Sequence, residues 1–244
     1  MLEFWVLGPA WGLATVAGFI LVGIAQFRVK SAFTRYSKVG VRNNMTGAEA
    51  AAAVCRAAGV HGVTIERHQG FLSDHYDPRT KSLRLSPDVY DGRSISSIAV
   101  AAHEAGHSIQ DADGYGPLKL RSKLVPIATL GSRLWLIPFM IGIFMNASAD
   151  AAQGNPAGAL MMKVGVVMFA MMVLFQLVTL PVEFDASNRA KEVLAATGIV
   201  STQEEATGVQ KVLGAAAMTY VAATLAAVLQ LIVLIMRTQG RNSN

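Results

Sequence analysis

Two histidines four residues apart carry the first chemical signal in this chain. They are His103 and His107, in the stretch VAAHEAGHSIQ over 100–110, with Glu104 directly after the first. On an α-helix, residues i and i+4 share a face, close enough for two imidazoles to hold one ion. Zinc takes nitrogen and oxygen ligands in tetrahedral geometry, and a catalytic zinc uses three protein ligands and leaves its fourth position to water. Glu104 would stand beside that water. It could accept a proton as the water attacks a peptide carbonyl and return it to the leaving amine. His-Glu-x-x-His on a helix is the pattern of zinc proteases. The neighbours Ala101, Ala102, Ala105 and Gly106 are small, which would let a second helix approach closely.

The pair needs a third ligand. Asp113 lies six residues after His107, a spacing that one protease class uses. That class turns its chain on a glycine three residues after the second histidine, and here the position holds Gln110. Glu183, in LPVEFDASNRAKEVL, is the better candidate, because a membrane hairpin would return it to the surface where the histidines lie. Ser187 is one turn beyond Glu183 on the same face, where it could support a ligand histidine by a hydrogen bond or simply pack between helices. Asp185 points away from that face and serves only as a fallback ligand. His61, His68 and His75 read as exposed loop or strand residues, and His75 and Tyr76 could touch a substrate. The oxyanion of a tetrahedral intermediate needs a further donor, for which Tyr76, Tyr90, Tyr115 and Arg189 stay open. Cys55 is the sole cysteine, so it forms no internal disulfide and no cysteine-based zinc knuckle. It reads as a small apolar helix residue.

The elements that must position these residues are membrane helices. Of 244 residues 52% are hydrophobic and 15% charged, against about 25% charged in a soluble domain. The net charge of +5 could suggest nucleic acid, but the basic residues flank apolar stretches, and no aromatic-basic RNA motif or zinc-finger cysteine pair is present. Four spans of membrane-crossing length are expected at 4–27, 124–145, 160–180 and 215–236. The first has Glu3 before it and its basic residues after it, so it reads as an uncleaved anchor rather than a secretory signal. Pro9, Pro126 and Pro138 lie within spans, which membrane helices tolerate. NASADAAQGNPAG, over 146–158, reads as a turn between antiparallel helices. Pro181 suits the first turn of a new helix holding Glu183. Arg133 is costly inside a span, so either it faces the protein interior or the start of the second span protrudes above the lipid.

Orientation follows from the basic residues. Arg28, Lys30, Arg35, Lys38, Arg42, Lys119, Arg121, Lys123, Arg189, Lys191 and Lys211 fall on one side of an even topology. That places 28–123 and 181–213 in the cytoplasm and both termini outside. Within the first of these parts, Thr46 and Glu49 have capping-box spacing and Gly59 marks a helix stop. Val63, Ile65, Leu83 and Leu85 alternate with polar residues around the turn-formers Asp77 and Pro78, which predicts a small hairpin or meander. Ser94 starts the helix over 95–111 that carries the histidines. Ser201 and Glu204 predict a second capping box, opening a helix that runs into the fourth span. No internal repeat, low-complexity tract or long linker is visible.

The stretches LSDHYDPRTKSLRLSPDVY, AVAAHEAGHSIQ and PVEFDASNRA, with the placement of the four spans, resemble the bacterial membrane-bound neutral zinc metallopeptidases of the YugP type through nearly the whole chain. More distantly, the plan is similar to the membrane gluzincins of the CAAX prenyl protease and HtpX kind, whose scheme His103, Glu104, His107 and Glu183 match one by one. Ser187 stands where those enzymes carry an aspartate. The resemblance implies a mainly α membrane protein with four transmembrane helices and a cytoplasmic zincin-like α+β metallopeptidase domain. It implies Zn2+ on His103, His107 and Glu183, Glu104 as base, and a multi-pass protein of the inner (plasma) membrane with its active site facing the cytoplasm. The expected partners are the lipid bilayer and a peptide or membrane-protein substrate, with no nucleic acid. The alternatives are a non-catalytic membrane scaffold with a structural zinc site and a zinc hydrolase of lipids or other amides.

Overall fold

The computed structural model describes residues 8–70, 73–147 and 155–239. In chain order its elements are α1 (Pro9–Tyr36), α2 (Gly47–Ala57), β1 (Thr64–Arg67), β2 (His75–Asp77), β3 (Ser82–Leu85), α3 (Pro87–Tyr90), α4 (Ile95–Ala112), α5 (Gly116–Leu134), α6 (Leu136–Ala147), α7 (Pro156–Ala196) and α8 (Gln203–Gln239). Among the described residues, four stretches are long and apolar enough to cross a membrane: Pro9–Tyr36, Gly116–Ala147, Pro156–Ala196 and Gln203–Gln239. Each contains or overlaps one expected span. Residues 4–7 of the first span, 148–154 of the expected turn and 71–72 of the expected strand region lie outside the described residues.

The chain divides into two compact units. The mixed unit, Ala25–Lys119 with Thr179–Thr219, holds the sheet. Its core gathers Leu83 and Leu85 of β3, Val54 of α2, Ile95 and Ile98 of α4, and Ala190 and Leu194 of α7. The start of α2 is capped as expected. Thr46 Oγ1 accepts the Glu49 N–H (3.1 Å), Glu49 Oε2 accepts the Thr46 N–H (2.7 Å), and Gly59 follows the helix at φ +69°. In the sheet, β2 and β3 form an antiparallel hairpin pairing Tyr76 with Leu83. The strand order is β1-β3-β2, with β1 parallel to β3. A meander would have put β2 in the middle. The central place goes to β3, the strand whose Ser82, Leu83 and Leu85 are all buried.

The capping box that opens α8 lies one residue later than the spacing predicts. Thr202 Oγ1 accepts the Glu205 N–H (3.1 Å), and Glu205 Oε2 accepts the Thr202 N–H (2.9 Å). Glu204 is exposed, while Glu205 is buried and also accepts the Arg42 N–H (2.8 Å). A long-range partner therefore selects between two acidic residues that sequence spacing alone makes near equivalent. From Gln203 the helix runs unbroken to Gln239, as expected.

The helical unit comprises Met1–Ile24, Leu120–Val178 and Tyr220–Asn244. Large apolar side chains stand open on its surface, among them Leu13 (70% exposed), Phe19 (74%) and Val167 (61%). So much exposed apolar surface suits a lipid environment, where the solvent itself is apolar. Its interior packs Phe139, Met162, Phe169 and Leu234. Trp135 stacks edge-on against Phe169, with ring centroids 4.9 Å apart. Between α5 and α6 the helix breaks at Trp135, because Pro138 has no N–H to give the Leu134 carbonyl four residues back. Arg133 is exposed, which excludes the reading in which it faces the interior. The packed face of α5 passes through Gly131, where an added Cβ would lie 2.6 Å from the Met168 carbonyl oxygen.

Candidate metal centre

The site belongs to the mixed unit and is built from α4 and α7. Helix α4 starts at Ser94, whose hydroxyl accepts the Ser97 N–H (3.2 Å). Almost every residue along it is buried, from Ile95 to Gln110. A helix covered on all sides needs small residues where neighbours come close. Gly106 meets that need: a Cβ built there would fall 2.4 Å from the Ala186 carbonyl oxygen of α7. Backbone contact between the two helices occurs one residue before His107 and three after Glu183.

That approach brings the three expected ligands together. Glu183 Oε2 lies 3.2 Å from His103 Nε2 and 3.7 Å from His107 Nε2. One ligand atom from each residue falls within 4.8 Å of the others. Bonds of about 2.0–2.1 Å to a tetrahedral centre place ligand atoms about 3.3 Å apart, so the spacing fits a single small cation. Two imidazole nitrogens and a carboxylate oxygen are a donor set that zinc accepts. Each ring is also held from behind. Ser187 Oγ sits 3.1 Å from His103 Nδ1, and Gln110 Oε1 sits 3.0 Å from His107 Nδ1. With both Nδ1 atoms occupied, both Nε2 atoms face the shared centre. Burial works to lower the His107 pKa, but the Glu183 and Glu104 carboxylates and Gln110 outweigh it, and the net shift is upward.

Glu183 reaches this position by a route other than the expected one. Helix α7 is continuous from Pro156 to Ala196, with Pro181 inside it. Glu183 is thus deep in a long helix rather than in the first turn of a new one. A proline costs such a helix only a local hydrogen bond, which packed neighbours can offset.

Glu104 is buried beside His103, and its charge acts on both His107 and Asp74. Asp74 escaped the sequence reading, although it sits in the quoted LSDHY stretch. Its carboxylate accepts the Ser86 N–H (2.7 Å) and hydroxyl (3.0 Å). Burial raises its pKa against the pull of those donors, and the Glu104 charge adds to the rise.

The remaining candidates lie outside the ligand cluster. Asp113 and Asp185 both accept hydrogen bonds from Arg189, and the Arg189 guanidinium lies 5.7 Å from the Tyr115 ring centroid. The Tyr76 hydroxyl donates to Asp111 Oδ2 (2.8 Å). Burial, and then that acceptor, raise its pKa well above the ordinary phenol value. The two ring stackers His68 and His75 lie edge to face, 5.6 Å apart. The His75 Nδ1–H donates to the Ser73 carbonyl at 2.8 Å. His61 is exposed. Gln110, read from sequence only as the residue that stands where a glycine would be needed, is wholly buried between α4 and α7.

Comparison with known proteins agrees with this geometry. The family described as "Putative neutral zinc metallopeptidase" matches residues 11–239. The "Putative membrane protease YugP" of Bacillus subtilis (strain 168) is 42% identical over 231 residues, covering 94% of this chain and 97% of that protein. No solved structure matches the chain. A match of this extent, taking in both helices that carry the candidate ligands, places the chain in the neutral zinc metallopeptidase family.

Proposed function

We propose that the protein is an integral membrane zinc endopeptidase with His103, His107 and Glu183 as ligands and Glu104 as general base. One observation carries the reading: two imidazole Nε2 atoms, each with its ring held at Nδ1, converge on one carboxylate oxygen. Zinc bound there would polarise a peptide carbonyl and lower the pKa of water. Glu104 takes the proton of the attacking water and delivers it to the leaving nitrogen. Ser187 keeps the His103 ring turned toward the centre. The strand β2 has β3 on one side, and an extended substrate segment would pair with its other edge by main-chain hydrogen bonds. The basic residues between the spans support a cytoplasmic site in the inner membrane. Helices α1, α7 and α8 each contribute to both units, which suits substrates in or near the bilayer.

Two variants test the reading. Glu104→Gln should keep stoichiometric zinc and lose about 10²–10⁴-fold in peptide cleavage; undiminished cleavage would end the base assignment. Glu183→Ala should lose more zinc affinity than the about 10–100-fold that follows loss of a ligand's hydrogen-bond partner. Full zinc content in that variant would remove Glu183 from the ligand set. Zinc bound by wild type with no peptide cleaved under any condition would instead favour the scaffold reading.

A further inference from the structure

We infer that Gln110 is the positioning residue that fixes the tautomer of His107 and holds the histidine helix in register with the helix of Glu183. The inference rests on the zinc-site reading and deepens it. A glutamine amide has one accepting end and one donating end. Gln110 is wholly buried, so both ends must be matched inside the protein. Its Nε2 lies 2.8 Å from the Val182 carbonyl oxygen and 2.7 Å from Asp185 Oδ2. A carbonyl oxygen accepts only, and the Asp185 carboxylate is paired with the Arg189 guanidinium at 2.6 Å. Both amide N–H groups are therefore committed to α7, and the amide has one satisfying orientation.

That orientation leaves Oε1 facing His107 Nδ1 at 3.0 Å. An oxygen there requires a proton on Nδ1, and a neutral imidazole protonated at Nδ1 carries its lone pair on Nε2. The Nε2 atom is the one turned toward Glu183. Asp185, which touches none of the three ligands in the hydrogen-bond network, thus decides through Gln110 which nitrogen of His107 is bare. The same side chain also grips α7 on both sides of Glu183, at Val182 and at Asp185. Gly106, one turn earlier on the same face of α4, receives the Ala186 backbone. Arg189 closes the circuit by donating to Asp113, just past the end of α4.

The experiment titrates zinc chloride against a chromophoric chelator with the purified full chain, and records the visible absorption of the cobalt-substituted protein. Gln110→Met keeps length and bulk but removes both amide ends. Its zinc affinity should fall about 10–100-fold, with a shifted cobalt spectrum. Asp185→Asn leaves Gln110 and its Val182 acceptor in place and weakens only the second acceptor of the amide, so it should weaken zinc in the same direction by less. A purely structural role predicts something else: equal loss of melting temperature with and without zinc, at unchanged affinity and cobalt spectrum. That result in Gln110→Met overturns the inference. Should Gln110→Met not yield folded protein, wild-type affinity and spectrum in Asp185→Asn overturn it instead. Wild type that binds no zinc would defeat the zinc-site reading itself, a separate outcome.

Discussion

The two units of this protein solve burial in opposite ways. In the mixed unit, buried polar side chains are matched to named partners: Glu205 takes backbone N–H groups from Arg42, Ser201 and Thr202, and Gln110 satisfies both of its ends. In the helical unit, the Trp11 Nε1, Thr15 Oγ1 and Gln176 Oε1 atoms are buried without a partner among the described residues. Leaving such a group unpaired costs about 1–3 kcal/mol. An aromatic pair returns about 0.5–1.5 kcal/mol beyond its buried area, and Trp11 packs against both Trp135 and Phe169. For Trp11 the two effects are of equal size, so ring packing can hold an indole whose N–H goes unmet. The lesson is that shape organises the helical unit, whereas directional hydrogen bonds organise the unit that holds the candidate metal site.

That contrast can be broken at several points. The largest effect on stability is expected from Phe139→Ala in the helical unit, where the ring is fully buried. Such a truncation costs about 3–5 kcal/mol, readable as a lower melting temperature in detergent. A loss below 1 kcal/mol would mean that shape is not what holds this unit. Zinc should come next. A ligand that binds only the folded state stabilises it by about 4.1 kcal/mol at 1,000 times its Kd and about 2.7 kcal/mol at 100 times, so chelation should lower the melting temperature as the free zinc falls. A melting temperature indifferent to zinc would sever the link between the site and the fold of the mixed unit.

Gly106→Ala is expected to cost about 1–3 kcal/mol by overpacking. It should also weaken zinc binding, because the added methyl pushes α4 and α7 apart at the level of the ligands. Stability lost at unchanged zinc affinity would separate packing from ligand geometry. Thr46→Ala removes one half of the box that starts α2, for about 1 kcal/mol. Its zinc affinity should match wild type. The smallest effect, and the sharpest for the comparison, is Trp11→Phe. It keeps a ring and deletes the unmet N–H, so its stability should lie within about 1 kcal/mol of wild type. A loss of several kcal/mol would show that the larger indole ring contributes more through its packing, or its N–H more through a partner, than this balance allows.

Much of the site could be read in one dimension because its first half is local. His103, Glu104 and His107 fall within five residues, and the 3.6-residue period of a helix puts both histidines on one face. The caps at Thr46 and Ser94 depend on side chains within three residues of the backbone they satisfy, the stop at Gly59 on the positive φ of that one residue, and all three are seen. The errors arose where two local options were nearly equal. Ser201 with Glu204 and Thr202 with Glu205 offer the same capping chemistry one residue apart, and Arg42, far away in sequence, decided for the second. Pro181 reads as a helix start when taken alone, yet the packed surroundings carry α7 straight through it. Arg133 is not an error but an open choice on sequence grounds, between the protein interior and a span whose start protrudes above the lipid. The packing of Gly131 against Met168 turned it out.

By itself, the amino-acid sequence determined which segments are apolar enough to cross a membrane, which residues can act as ligands or base, and that two of those ligands share a helical face. These are properties of composition and of short-range geometry, written into spacing. Only the tertiary structure decided that Glu183 meets both histidines, that Ser187 and Gln110 back one ring each, and that Arg189, Tyr76 and Asp113 are engaged elsewhere. Except for Gln110 with His107, which are three residues apart, the partners that build the site lie tens of residues apart in sequence. They meet because Gly106 lets the α4 and α7 backbones touch; small residues in the sequence signal that some helix comes close, but not which helix nor in what register.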